Sequence, residues 1–513
     1  MTVVFLIHFF ITDMPLRNIL SALSRGIFGP YPDRKPLQQK VESLFGESGH
    51  NIACTSVRSG LDLFLSAMAF PKGSEIILTA INIPDMSYII EHHGLSVVPV
   101  DIDLETLCPK EELLELAISD KTVAVLVAHI YGKWLNLDSV ASIAKANNLY
   151  LLEDCAECFQ GFSRQGHKHS DVVFFSFGLI KHYTCFGGAM IIVQEDDVYQ
   201  KMRSRLESYP VQGHSGFFQK LLKYSFLSCI LNSSPVLFPI LKPLFYSFGF
   251  DYMEYFIGLL RGYPEQMMRQ LPFQPSAGLL EMMYERLSQF DPKDFENAQK
   301  KGDFVKDRLP DNVFVPGQKA DSKNYWLFPL LVDDPPEVMK ALEREGIHAY
   351  QGATQLRTVY RTQQKANTNP TSTTKTSKRN PFEQKTSSIS DTEVAAGNQL
   401  HTTEPSLGAI SITPMVPHHS FSADGLSQTS ISESSEKQPT ISKGLSKEGR
   451  CAEDILYPYN AEYMIQHVLY LPVHKNVPLA YLKKICKAMD KVMKSRVGVC
   501  CKNGQKVFFP SKL

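Results

Sequence analysis

Three short stretches of this chain carry residue types that could act together on one small molecule. The stretch LYLLED ends in Glu153-Asp154, and a carboxylate at the carboxyl end of an apolar strand is placed to hold a ring nitrogen protonated, which makes that ring an electron sink. Aspartate there also caps helices, and spacing alone weighs the two readings evenly. One strand later, SFGLIKHYTCFGGAM sets Ser176 after an apolar run and Lys181 in the loop before Gly187-Gly188. Phe175, Phe177 and Phe186 would shield that amine and leave it able to attack an aldehyde carbon, although a surface lysine is the commoner thing. Upstream, TSVRSGLDLFLSAM puts Arg58, Ser59 and Gly60 just before a helix with Leu61, Leu65 and Met68 inward. Backbone N–H groups, a hydroxyl and the positive end of a helix dipole suit a phosphate; plain N-capping by Ser59 competes with that use.

The elements that must position these residues are legible in the hydrophobic pattern. EIILTAI, LSVVPVDID, TVAVLVAHIYG, LYLLED, DVVFFSFG and GAMIIVQ are short β-branched runs bounded by turn residues. Helix-period segments lie between several of them, including LDSVASIAKANN with Leu137, Val140, Ile143 and Ala144 on one face. Alternation of this kind predicts a mostly parallel sheet covered by helices.

The remaining organisation follows from composition. At 513 residues the chain exceeds one ordinary domain, and 53 basic against 53 acidic residues leave no field for nucleic acid or an anionic surface. The ten cysteines lack the spacing of a disulfide scaffold, so a reducing, cytoplasmic setting is expected. Cys155-x-x-Cys158 has no second pair at zinc-ribbon distance, and no metal site is expected. The apolar run Val3–Ile11 is too short to span a bilayer and has no preceding positive charge, so it is read neither as a signal peptide nor as an anchor.

Residues 216–262 are very apolar, but Pro235, Pro239 and Pro243 recur through them, which suits a buried cap or contact segment better than a membrane span. Peripheral membrane contact through 216–262 is the alternative. A second globular part begins near Ser276 and includes NYWLFPLLVDD and PEVMKALEREG. From Arg361 to Arg450 the chain is Ser/Thr-rich with Phe382 and Phe421 its only aromatics, a composition that predicts disorder. HVLYLPVH and AYLKKICKAMDKVMKS follow, so the stretch reads as an insertion within a domain.

Together these motifs resemble the DegT/StrS family of pyridoxal-phosphate-dependent sugar aminotransferases. HIYGKWLNLDSVASIAKANNLYLLEDCAECFQG is similar to the family's H-x-x-G, its following helix and its E-D-x-A stretch; SFGLIK is similar to its S-F-x-x-x-K, and TCFGGAM to its glycine turn. The resemblance implies fold type I of the pyridoxal-phosphate-dependent enzymes, with Lys181 forming the Schiff base (aldimine) and Asp154 pairing with the ring nitrogen. Ser59, Gly60 and Ser176, with Arg58 beside them, would hold the phosphate. It also implies a homodimer, and Lys181 argues against the family's dehydratase branch, in which histidine takes that place.

Three positions depart from the pattern. Glu157 stands where Gln or His is usual, adding a negative charge among the cofactor-binding residues; Ile83 replaces a stacking aromatic; and LPFQPS replaces an N-Y-R-M-type segment, with Pro272 and Gln274 where Asn and Arg would fall.

The resulting expectation is an α/β protein: an N-terminal extension (1–34), a large domain with a mostly parallel sheet (35–215), an apolar Pro-containing segment (216–275), and a smaller α+β domain (276–360 and 454–513) carrying a disordered insertion (361–453). Its function would be transfer of an amino group, with glutamate the first candidate donor, to a keto-sugar or related carbonyl acceptor. Another pyridoxal-phosphate reaction on the same scaffold, and a non-catalytic binding protein derived from it, are the rivals.

Overall fold

The structure is a computed structural model, and it describes residues 13–29, 31–46, 50–228, 264–352, 355–361 and 455–494. These belong to one compact unit, Met1–Thr368 with Arg450–Leu513; the second unit, Asn369–Gly449, lies outside the described residues. The insertion expected over 361–453 falls almost wholly outside them, as does 229–263 of the apolar segment.

Seven strands form the central sheet: β1 Asn51–Cys54, β2 Glu75–Thr79, β3 Ser96–Val100, β4 Thr122–Ala128, β5 Tyr150–Asp154, β6 Val172–Ser176 and β7 Ala189–Val193. Their spatial order is β3-β2-β4-β5-β6-β7-β1. Pairing is parallel from β3 through β6, and β7 runs antiparallel to both β6 and β1. The sheet is thus mostly parallel, with one reversed strand.

Both faces are covered, which is why the strands read as continuous apolar runs. Val172 and Phe174 of β6 join a cluster with Leu61 and Met202, whereas Val173 and Phe175 join one with Leu280 and Met283. The first cluster is built from helices α3 (Val57–Met68) and α7 (Asp196–Glu207), and the second from α2 (Arg34–Ser43) and α8 (Ala277–Leu287). Helices α4 (Pro84–His92), α5 (Glu111–Ala117) and α6 (Asp138–Ala146) serve as crossovers between strands, and α1 (Leu16–Phe28) precedes them all. Gly60 of α3 lies so close to the sheet that a Cβ there would collide with Ile191, which lets helix and sheet approach.

Beyond the sheet, β8 (Phe328–Leu331) and β9 (Val468–Leu471) pair antiparallel with Phe328 opposite Leu471. These two strands come from opposite sides of residues 362–454. Helices α9 (Pro292–Lys306), α10 (Pro335–Arg344) and α12 (Leu479–Lys494) pack around them through Val305, Leu342 and Leu482, and α11 (Tyr459–His467) leads into β9. The two-residue strands Lys133–Trp134 and Ser322–Lys323 pair antiparallel and tie this part to the large sheet. Among the described residues, no helix is long and apolar enough to cross a membrane.

Candidate active site

Strands β5 and β6 lie side by side, with Asp154 opposite Phe174, so the residues at and beyond their carboxyl ends share one edge of the sheet. Asp154 is buried, and its Oδ1 accepts the Ala156 N–H at 3.1 Å. Burial raises its pKa above the usual carboxylate value, while Lys181, the Ala156 N–H and Arg58 pull the other way. Those opposing charges place Lys181 and Arg58 around this carboxylate.

Lys181 sits in a tight turn after β6, its N–H donating to the Gly178 carbonyl at 3.0 Å. Its Nζ lies 3.9 Å from Glu157 Oε1 and 5.1 Å from the centre of the Trp326 ring, and the side chain is 18% exposed. Glu157 is buried as well, with Oε2 accepting the Tyr131 N–H at 2.8 Å. Burial, reinforced by Asp154, pushes its carboxyl up to about 7 against the pull of Lys181 and the Tyr131 N–H. Ser176, half-buried at the end of β6, accepts the Gly178 N–H at 3.4 Å. Gly178 faces Ser176 Oγ and Lys181 together, since a Cβ on it would sit 3.6 and 3.8 Å from them.

Behind the site a second carboxylate faces inward. Glu153 Oε2 meets His129 Nε2 at 2.8 Å, and His129 Nδ1 accepts the Leu135 N–H at 3.1 Å, which leaves Nε2 as the protonated nitrogen that donates to Glu153. Burial alone would raise the Glu153 pKa, but this bond from His129 brings it below the usual value. His129, Glu153 and Cys155 lie within 4.8 Å of one another. The His129 nitrogens are already satisfied by protein groups, so this triad braces β5. Burial raises the pKa of both Cys155 and Cys158, which keeps their thiols protonated.

At the start of α3 the cap is Ser56, not Ser59. Ser56 Oγ accepts the Ser59 N–H at 3.1 Å, and the Ser56 carbonyl accepts the Gly60 N–H at 3.0 Å. The Ser59 hydroxyl is buried against Thr55 at 2.6 Å and Ser56 at 3.0 Å. The first-turn N–H groups that a helix leaves without intrahelical acceptors therefore belong here to Val57 and Arg58, since the helix starts three residues earlier than a cap at Ser59 would set it. Gly60 answers the close approach to Ile191 instead. Arg58 reaches Asp85 Oδ2 at 2.5 Å through Nε and Gln355 Oε1 at 3.3 Å through Nη2.

Three residues of the site went unassigned in the sequence. Tyr131 stands at φ +62° before Gly132 at φ +74°, and this left-handed turn of HIYG aims the Tyr131 N–H at Glu157. Trp326 covers Lys181, and Ser56 caps α3. Tyr131 lies inside HIYG, and Ser56 is visible as a hydroxyl before an apolar helix; nothing local marks Trp326.

The departures also find places. Ile83 is the residue just before α4, half-buried between two core clusters. In LPFQPS, Gln274 accepts from Arg34 Nη2 at 2.6 Å and donates to the Tyr209 carbonyl at 2.6 Å, while Ser276 caps α8. Helix 214–228 turns Tyr224 toward Phe186, ring centres 6.0 Å apart, and into the field of Arg58.

An amine, a buried carboxylate opposed by cations, a helix start with first-turn N–H groups and a serine at the neighbouring strand end form a donor set that fits pyridoxal phosphate. Residues 11–224 match the DegT/DnrJ/EryC1/StrS aminotransferase family. A relative of known name, GDP-perosamine synthase of Escherichia coli O157:H7, is 30% identical over 179 residues, which is 32% of this chain and 46% of that protein. The matched stretch thus spans about half the relative's length.

Among solved structures, the sugar aminotransferase CalS13 from Micromonospora echinospora aligns at a TM-score of 0.51 and 16% identity, covering 92% of this chain and 96% of that one. The E. coli GDP-4-keto-6-deoxy-D-mannose-3-dehydratase with bound hydrated PLP gives 0.53 and 16%, covering 93% and 96%. The chain shares the fold of these structures, and β7 is the reversed strand of its sheet.

Proposed function

We propose that this protein is a pyridoxal-phosphate-dependent aminotransferase that moves an amino group from an amino acid, glutamate first among donors, to a keto-sugar or related carbonyl acceptor. The observation that carries this reading is the convergence of Lys181, Asp154 and Glu157 at the ends of β5 and β6 beside the start of α3. The cofactor, when bound, supplies an aldehyde carbon and a ring able to delocalise a carbanion.

Each side chain then has a task. Lys181 would hold the cofactor through its amine and would carry a proton on Nζ at hydrogen-bond reach. Asp154, its charge opposed by Lys181 and Arg58, would keep the ring nitrogen protonated. The N–H groups of Val57 and Arg58, with the hydroxyls of Ser56 and Ser176, hold the phosphate. Trp326 keeps water from the lysine. Active sites paired across a homodimer belong to the same proposal.

A second reading, a different pyridoxal-phosphate reaction, is favoured by Gln274, which clasps Arg34 and the Tyr209 carbonyl and so is held away from any substrate role. For residues 216–228 we infer packing against protein in place of lipid, because Phe217, Leu221 and Leu227 are buried in the core. Carbonate-resistant retention of the full chain in a membrane pellet would reverse that inference.

The experiment for the main reading is borohydride treatment of the pyridoxal-phosphate-loaded protein followed by peptide mapping, with spectra recorded before and after glutamate. Cofactor fixed on Lys181 and a spectral change with glutamate are expected. Label on another lysine, or on none, would remove this function and bring the binding-protein rival forward.

A further inference from the structure

Glu157 is tethered through one oxygen only. Its Oε2 accepts the Tyr131 N–H at 2.8 Å, while Oε1 faces Lys181 Nζ at 3.9 Å. The tether is rigid, because Tyr131 occupies the left-handed region at φ +62° and the next residue, Gly132, accepts the Asn324 N–H at 2.8 Å. Glu157 therefore stays beside Lys181, whereas the long lysine can rotate the remaining distance into hydrogen-bond reach.

The charged groups around it come from separate elements: Asp154 at the end of β5 and Lys181 in the loop after β6, with Arg58 of α3 acting on Asp154. His129 contributes no free nitrogen, since both are bonded. Glutamine would fill the same space and accept the same N–H, but it carries no exchangeable acid proton. An acid at this position adds one capacity, and it adds it at the amine.

We propose that Glu157 is a catalytic residue that exchanges one proton with Lys181 Nζ. In the forward step an N–H bond of the ammonium breaks with its electron pair left on nitrogen, and an O–H bond forms at Glu157 Oε1, giving a neutral amine beside a neutral acid. The reverse step restores ammonium and carboxylate. The proposal rests on the reading of Lys181 as the residue that bonds to the cofactor aldehyde, because only a neutral amine attacks carbon or accepts the substrate proton. Burial pushes the Glu157 carboxyl up to about 7, so its proton occupancy changes near neutrality. A carboxyl at the ordinary value of 4.5 would stay ionised throughout that range.

The test is the visible spectrum of the pyridoxal-phosphate-loaded protein titrated across neutral pH, for wild type, Glu157→Gln and Glu157→Asp, with borohydride mapping of each. Wild type should show a transition with a midpoint near 7. Glu157→Gln should lose it or move it by at least about one pH unit, Glu157→Asp should retain one, and the kcat–pH profile should change with the spectrum. An unchanged transition in Glu157→Gln, with cofactor still fixed on Lys181, would overturn the proton role alone. Glu157→Gln that cannot hold the cofactor would assign the residue to binding and overturn it too. Failure of wild type to be labelled at Lys181 would remove both this inference and the function on which it rests.

Discussion

Trp326 lies over Lys181, with the amine 5.1 Å from the ring centre, and in the same pose donates its indole N–H to the carbonyl of Ile180 at 3.1 Å. One side chain thus roofs the amine and pins the loop that carries it. Trp326→Phe keeps the roof and loses the pin; Trp326→Ala loses both. The hydrogen bond is worth about 1 kcal/mol and the cation–π contact about 0.5–1 kcal/mol. Hydrogen exchange of residues 178–186 should therefore rise modestly in the first variant and further in the second. Equal exchange in both would show that the ring does not shield the loop. With two tryptophans in the chain, cofactor binding should also quench wild-type fluorescence more than that of Trp326→Phe.

Lys181→Ala should fold, since the residue lies in a surface turn, and should bind pyridoxal phosphate without covalent attachment and without amino transfer. Asp154→Asn should differ from it. The Lys181 amine is intact, so borohydride labelling persists, but the ring nitrogen loses its charged partner and kcat should fall by about 100-fold or more. Equal activity in Asp154→Asn and wild type would take Asp154 out of the site.

Gly60→Ala tests packing against phosphate binding. The added methyl meets Ile191, a flexible side chain, with Phe174 at 3.2 Å behind it. Overpacking of this kind costs about 1–3 kcal/mol, seen as a lower Tm with cofactor affinity nearly unchanged. Ser56→Ala removes the cap, costing about 0.5–2 kcal/mol, and should also weaken cofactor binding. A large affinity loss in Gly60→Ala with no change in Tm would return Gly60 to the phosphate site.

Glu157 also makes the cofactor-free protein sensitive to pH. Its folded pKa, about 7, lies above the ordinary carboxyl value of 4.5, so its favourable contribution is complete below 4.5 and is lost as pH rises through 7. Relative to Glu157→Gln, wild type should lose at most about 3 kcal/mol of unfolding free energy across that window, at 1.36 kcal/mol per unit. A constant difference between the two proteins from acid to neutral pH would show that Glu157 does not titrate there.

Replacing residues 362–454 with a Gly/Ser bridge should leave folding and cofactor binding intact. The β8–β9 pair that flanks this stretch is held by its own core, including Phe328, Leu330 and Leu471. A soluble but cofactor-free product would make the stretch structural.

Much of this arrangement was readable before any coordinates. The β-branched runs became β2 to β7 because strands buried on both faces must be apolar at successive positions, and periodicity reports that directly. Asp154 and Lys181 were legible for the same reason, since each follows a strand whose end is marked by turn residues, and parallel strands deliver such ends to one edge. The start of α3 was read too late, at Ser59 in place of Ser56, because TSVRS offers several hydroxyls and spacing cannot choose among caps.

What the sequence by itself determined is the strand order along the chain and the placement of two chemical residues at neighbouring strand ends. Tertiary structure alone decided that Trp326 roofs Lys181 from 145 positions away (326 − 181), that Tyr131 presents its N–H to Glu157, and that Gln274 is occupied by Arg34 and Tyr209. The physical reason is range. Hydrophobic period and turn chemistry are written into adjacent residues, whereas a ring over an amine, an amide aimed at a carboxyl and a carboxyl raised by burial arise only when distant segments exclude water from one another.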